Sequence, residues 1–143
     1  MKVYIMVGIP GSGKSTIAEK LTGKLISTDA IREELYGDAA VQGNGAKVFA
    51  IAYDRARQIL ANGEDVIFDA TNTSKKARKA VMKETPDAEH IAIFVNTPYE
   101  ECVRRNQNRE RVVPEFVLER MKKNLVPPTV EEGFSEVISI KAL

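Results

Sequence analysis

The chain has one cysteine, one histidine and a net charge of only +1 across 143 residues. It also lacks any apolar run approaching the roughly 18 residues that suggest a membrane-spanning helix. Each shortage excludes something. A lone Cys102 can form neither an internal disulfide nor a cysteine-built zinc site, and its place in a helical pattern reads as a buried thiol in a reducing compartment. The N-terminal MKVYIMVG has only a short apolar run before Gly8, too little for a signal peptide, so the expectation is a cytoplasmic protein that neither crosses nor enters a membrane. Asn72-Thr73-Ser74 matches a glycosylation acceptor, but without secretion the match is a coincidence. His90 opens a strand pattern and reads as a surface residue. Near-neutrality rules out a global nucleic-acid footprint. Charge is nevertheless uneven: seven basic residues and three glutamates lie between Arg104 and Lys123, offset by Glu131, Glu132 and Glu136 in the tail. An anionic partner should therefore be gripped locally.

What is present is ordinary for a globular domain: 43% hydrophobic and 29% charged residues. A chain of this length buries roughly 68% of the surface its unfolded form exposes, enough for one good core. Short apolar, β-branched runs occur at 2–7 (KVYIMV), 66–68 (VIF), 90–95 (HIAIFV) and 136–140 (EVISI), with a weaker one at 24–28 (KLIST). They alternate with helical patterns, which predicts a parallel sheet covered on both faces by helices. The clearest helix has a stripe of Val48, Ala52, Ala56 and Ile59 and a stop at Gly63; others are expected over 14–22, 30–36, 74–84, 99–108 and 114–125. Residues 38–45 and 108–113 read as loops too short to link domains, and there is no repeat or low-complexity tract.

The chemistry begins at Gly8. Gly8, Gly13, Lys14 and Ser15 satisfy GxxxxGK followed by Ser or Thr, directly after a strand and opening a helix, which is the context this motif requires. With these residue frequencies the pattern arises by chance on the order of 0.4% of the time. Glycines, here Gly8, Gly11 and Gly13, let backbone N–H groups of the loop through Ser12 and Thr16 turn toward phosphate oxygens. Lys14 reaches the β and γ phosphates of ATP, and the Ser15 hydroxyl is placed for Mg²⁺.

A triphosphate site alone does not say where the phosphoryl group goes. A guanine switch would want NKxD after the fourth strand, whereas the chain has NTPYEE at 96–101. A phosphotransferase needs an acid near the acceptor hydroxyl, cations around the moving phosphoryl and a cover against water. Asp29 follows the second strand, where residues face the ligand crevice. It reads either as the N-cap of the helix starting at Ala30 or as the proton acceptor, and the two roles are compatible. Arg32 falls in the first turn of that expected helix, where a cation opposes the dipole, so it makes better sense facing an incoming anion. Asp69 ends VIFD and should reach the same crevice, near the metal or the acceptor, unless it only forms the following turn. Glu100 with Arg104 and Glu101 with Arg105 suit ordinary helix pairs. Arg105 and Arg109 are four apart and alike in sign, an arrangement that an anion between them would relieve, and they suggest a lid carrying arginines onto ATP.

Taken together, GIPGSGKST, STDAIR, VIFDATNTS and RRNQNRERVVPEFVLERM resemble the 5′-kinase domain of bacteriophage and bacterial polynucleotide kinases, within the adenylate-kinase-like P-loop group. The resemblance spans about residues 2–121. It implies that Lys14 and Ser15 hold phosphates and Mg²⁺, that Asp29 is the base toward a 5′-hydroxyl of DNA or RNA, and that Arg32 grips the phosphate on the acceptor's 3′ side. Arg109 would stabilise the transferring phosphoryl with Arg105 beside it, and Asp69 matches a family acid. No DxDGT-like phosphatase motif is present, so a kinase-only domain is expected over 1–143, with a lid at about 104–125. The architecture expected is α/β: a P-loop NTPase with a five-stranded parallel sheet in the order 2-3-1-4-5. Related enzymes that phosphorylate antibiotics, sugars, nucleotide-sugars or tRNA-linked serine share the loop, which leaves a small alcohol as the alternative acceptor.

Overall fold

The computed structural model describes residues 1–37, 45–109 and 112–141. Five parallel strands, β1 (Lys2–Val7), β2 (Lys24–Ser27), β3 (Val66–Asp69), β4 (Glu89–Val95) and β5 (Glu136–Ile140), form one sheet in the order β2-β3-β1-β4-β5. The expected order is the observed one. Strand β1 pairs with β3 on one side and β4 on the other, Val3 facing both Val66 and His90.

The strands read as continuous apolar runs because both faces are covered. Val3, Ile5 and Val7 of β1, with Phe68 of β3 and Phe94 of β4, pack under helices α2 (Thr28–Tyr36), α3 (Gly45–Ala61) and α4 (Lys75–Glu84). Met6, Ile67, Ile91 and Ile93 point the other way, onto Ala18 of the short helix α1 (Lys14–Ala18). Burial of each such side chain contributes about 1.5–3 kcal/mol. The predicted stripe on α3 is confirmed, with Val48, Ala52 and Ala56 buried. Helices α5 (Tyr99–Gln107) and α6 (Glu115–Asn124) pack on each other over Ile9, Cys102 and Leu118. A 3-10 turn, Val130–Glu132, leads into β5. Among the described residues, no helix is long and apolar enough to cross a membrane.

Several expectations need correction. Helix α1 stops at Ala18 rather than continuing to Thr22. Helix α2 starts at Thr28, two residues early, because its cap is Ser27, whose Oγ accepts from Ala30 N–H at 3.2 Å. His90 is buried, not on the surface: Thr85, at the end of α4, folds over it, with Thr85 Oγ1 2.8 Å from His90 Nε2. Thr85 donates its only hydroxyl proton to the Val81 carbonyl, so it accepts from His90, and Nε2 carries the ring proton. Arg104 pairs with Glu101 and not Glu100. Cys102 is fully buried, as expected, and Asn72 is buried with its amide engaged, which bars a glycan from it in the folded state. The loop expected over 38–45 lies outside the described residues except for Gly45, which opens α3, and Glu110 and Arg111 of the expected lid lie outside them too.

Candidate active site

The C-terminal ends of parallel strands open onto the crevice of such a sheet, and strand order reverses between β1 and β4. The loop after β1 fills that place. Gly11 and Gly13 take positive φ values of 84° and 96°, a region that residues bearing a Cβ rarely adopt. Neighbouring elements fix the loop from below. The Ser12 carbonyl accepts from Thr97 Oγ1 at 2.7 Å and from Arg105 Nη1 at 3.3 Å, and Gly8 N–H donates to the Thr71 carbonyl at 3.0 Å. Gly11 backs directly onto the Cys102 carbonyl of α5. Gly8 and Ser12 are buried beneath the loop, while Gly11, Gly13, Lys14, Ser15 and Thr16 form the surface of a cavity of about 640 Å³.

Across the loop stands Asp69, the last residue of β3. It is 8% exposed, and Ser15 Oγ donates to its Oδ2 at 3.4 Å. Burial pushes its carboxyl above the usual range, opposed chiefly by the charge of Lys14. Burial likewise lowers the Lys14 ammonium, and Asp69 followed by Asp29 pulls it back up. The opposite charges of Lys14, Asp69 and Asp29 thus offset part of the cost of burying the first two. Ser15 and Asp69 together offer a hydroxyl and a carboxylate, hard oxygen donors suited to Mg²⁺, which commonly takes one or two carboxylates and completes its shell with water and phosphate oxygens. Asp69 therefore presents its carboxylate to the cavity beside the Ser15 hydroxyl.

Asp29 lies in the first turn of α2, and with Ser27 as the cap it is released from that role. Arg32, one turn on, donates from Nη1 to Asp29 Oδ1 at 3.1 Å. The Asp29 side chain is 51% exposed and the Arg32 side chain 14%. Because α2 begins at Thr28, Arg32 sits beyond the first turn and is not set against the helix dipole as expected; the ion pair with Asp29 is what orients it. Among the described residues, Arg32 Nε is buried without a hydrogen-bond partner.

The fourth wall comes from α5 and the residues after it. Arg105 and Arg109 both line the cavity. Arg105 is braced by Glu101 at 3.1 Å as well as by the Ser12 carbonyl. The loop that follows is tied to α5 by Asn106, whose amide donates to the Val113 carbonyl at 2.7 Å and accepts from Val113 N–H at 3.1 Å. Val113, Val117 and Met121 give this side an apolar surface.

The structure thus brings Lys14, Ser15, Asp29, Arg32, Asp69, Arg105 and Arg109 to one cavity. Sequence reasoning missed Thr97, Asn72, Asn106 and Phe49. The first three follow strands or close helices with polar residues in NTP, ATNTS and RRNQNR, a signal for buried hydrogen bonding that went unread. Phe49, partly buried on α3, also lines the cavity and carries no such signal.

A family model described as an AAA domain matches residues 3–128. Among curated proteins, the bifunctional enzyme NodQ of Rhizobium sp. (strain N33) is 32% identical over 73% of the chain and 18% of its own length. The bifunctional polynucleotide phosphatase/kinase of Schizosaccharomyces pombe is 25% identical over 95% of the chain and 32% of its own. The L-seryl-tRNA(Sec) kinase of Methanococcus maripaludis is 25% identical over 88% and 53%. The chain therefore spans about half or less of the length of these curated relatives. Of solved structures, a chain of the Pnkp1/Rnl/Hen1 RNA repair complex superposes with a TM-score of 0.77 at 24% identity, over 87% of this chain and 43% of that one. A gluconokinase of Sinorhizobium meliloti 1021 gives 0.68 at 19% identity over 99% and 83%. The fold is that of P-loop kinases.

Proposed function

The chain belongs to this AAA-domain family of P-loop proteins, and on that premise we propose that it transfers the γ-phosphoryl group of ATP to the 5′-hydroxyl end of DNA or RNA. The observation that carries the proposal is the Asp29–Arg32 pair, set on the same cavity as Lys14, Ser15 and Asp69, with Arg32 Nε unused. A carboxylate stands on the cavity wall, and a guanidinium paired with it stands beside it. That combination suits an alcohol carrying a phosphate close by. The relative in S. pombe named as a polynucleotide phosphatase/kinase supports the same acceptor.

On this proposal residues 1–143 act as one kinase domain with a lid over about 104–125. Lys14 neutralises the β and γ phosphates, and Ser15 and Asp69 are the residues that would hold Mg²⁺. Bound there, the metal would offset phosphate charge. Asp29 takes the proton of the attacking hydroxyl as its oxygen bonds to the γ phosphorus and the bond to ADP breaks. Arg105 and Arg109 meet the charge that builds on the phosphoryl oxygens. Arg32 holds the acceptor's 3′-side phosphate.

A small-molecule alcohol is the second reading, favoured by the size of the cavity, which falls within the range of small-ligand pockets. Labelled ATP offered with 5′-OH oligonucleotides, and separately with a panel of small alcohols including gluconate, separates the two. Label on the oligonucleotide is expected. Label on a small alcohol alone would overturn the polynucleotide proposal while leaving phosphotransfer intact.

A further inference from the structure

Arg78, on α4, is the largest fully buried side chain among the described residues. From its place in KKARKAV it would be taken for a solvated helix residue. Its guanidinium instead spends three donors inward. Nε and Nη2 donate to the two carboxylate oxygens of Glu132 at 2.8 and 3.0 Å, and Nη1 donates to the Asn72 carbonyl at 2.9 Å. Glu132 is itself held: its Oε2 accepts from Thr129 N–H at 2.8 Å in the capping box of the 3-10 turn. A second tie joins the same regions, Val126 N–H donating to the Thr73 carbonyl at 2.8 Å.

The inner end of this chain of contacts is the segment after Asp69. Asn72 is the one non-glycine described residue with positive φ, 48°, and its amide donates to the Met6 carbonyl of β1 at 2.8 Å. Its neighbour Thr71 accepts from Gly8 N–H, where the phosphate loop begins. A continuous path therefore runs from Glu132 through Arg78 to the turn between β3 and α4. That turn begins directly after Asp69, and its Thr71 carbonyl meets Gly8 at the start of the phosphate loop.

We propose that the Arg78–Glu132 pair is a positioning device that sets Asp69 against Ser15, so that residues remote from the cavity control its affinity for the divalent cation that accompanies the nucleotide. The pair touches no reacting atom, and its effect passes through the Asn72 turn. The Asn72 carbonyl that satisfies Nη1 lies three positions after Asp69, so the brace and the carboxylate share one short segment. Removing a group bonded directly to a metal ligand typically costs 10- to 100-fold in metal affinity or activity, and a pair acting one step further out belongs at the low end of that range. This proposal rests on the assignment of Ser15 and Asp69 to the metal, not on the identity of the acceptor.

The test replaces the pair as a unit, Arg78→Met with Glu132→Leu, because removing a single partner would strand a buried charge, whereas apolar replacement of both is often tolerated. ATP affinity is measured by calorimetry across a Mg²⁺ series, with no acceptor present. The folded double variant is expected to need about tenfold more Mg²⁺ for the same ATP affinity, while its affinity for ATP without metal is unchanged. Should the double variant not fold, Asn72→Gly cuts the tie to Met6 while suiting the positive φ and keeping the carbonyl that Arg78 uses, and the same shift is expected. A wild-type Mg²⁺ dependence in whichever variant is folded overturns the proposal. If the wild type binds Mg·ATP yet phosphorylates no acceptor, the kinase proposal fails and this one is still decided by the Mg²⁺ series.

Discussion

Asp29 Oδ1 accepts from Arg32 Nη1 at 3.1 Å on the wall of the cavity, while the cap of their helix is a different residue, Ser27. That division of labour separates stability from chemistry at this site. Asp29→Asn should leave the melting temperature nearly unchanged, since the Ser27 cap, of the kind worth about 1 kcal/mol, is untouched. Phosphoryl transfer should fall by about 10² or more, because an amide cannot take the hydroxyl proton. Single-turnover rates and thermal melts on the same samples check both halves. A folded variant with wild-type transfer would remove Asp29 from the mechanism.

The phosphate loop makes a steric prediction at Gly11. Its φ of 84° disfavours any side chain, and an added Cβ would drive into the Cys102 carbonyl, which is backbone and cannot swing aside. Gly11→Ala should therefore cost more than the ~1 kcal/mol that relief of unfolded-state entropy could return, and displace the loop. Equilibrium titration should show ATP affinity weakened at least about tenfold, a loss of roughly 1.4 kcal/mol. Unaltered affinity would mean that α5 yields.

The fold was legible because the sheet is buried on both sides: β1 and β4 announce themselves as apolar runs whatever surrounds them. Asp29 was harder. Ser27, Thr28 and Asp29 are all good caps in succession, and local propensity does not choose among them; strand β2 ending at Ser27 does. The burial of Arg78 could not be read at all, since its partner Glu132 is 54 residues away. His90 failed for a related reason: its cover, Thr85, comes from the preceding helix and not from its own strand.

His90 carries a pH prediction. Burial lowers its pKa below the ordinary 6.5, with the Thr85 backbone a partial opposing influence. As pH falls through about 6.5, the unfolded chain binds a proton that the native imidazole refuses, so native stability declines, and goes on declining until the native ring protonates as well. Above that window the contribution is flat. Urea midpoints at pH 7.5 and 5.5 for the wild type and His90→Gln, whose amide can still donate to Thr85, isolate this effect. The wild type should lose more stability than the variant on acidification; parallel losses would show that His90 does not titrate in this way.

The proposed acceptor is tested at Arg32. Its side chain is 14% exposed, it is aimed by Asp29, and its Nε has no partner among the described residues. If it grips a phosphate 3′ to the attacking hydroxyl, a nucleoside 3′-monophosphate should be a better acceptor than the plain nucleoside. A charge-assisted hydrogen bond of about 1.5–3 kcal/mol corresponds to roughly 10- to 150-fold in kcat/KM. Arg32→Ala should abolish that preference by crippling the phosphorylated acceptor, and should change the plain nucleoside far less, since the plain nucleoside never made the contact. Asp29 would lose a partner in the same variant, so both acceptors should share a modest common loss; the ratio between them is what reports the phosphate contact. Measuring kcat/KM for both acceptors with both proteins gives that ratio. A wild type indifferent to the 3′-phosphate, or a variant that keeps the full preference, would shift the assignment to a small alcohol whose anionic group, if any, binds elsewhere in the cavity.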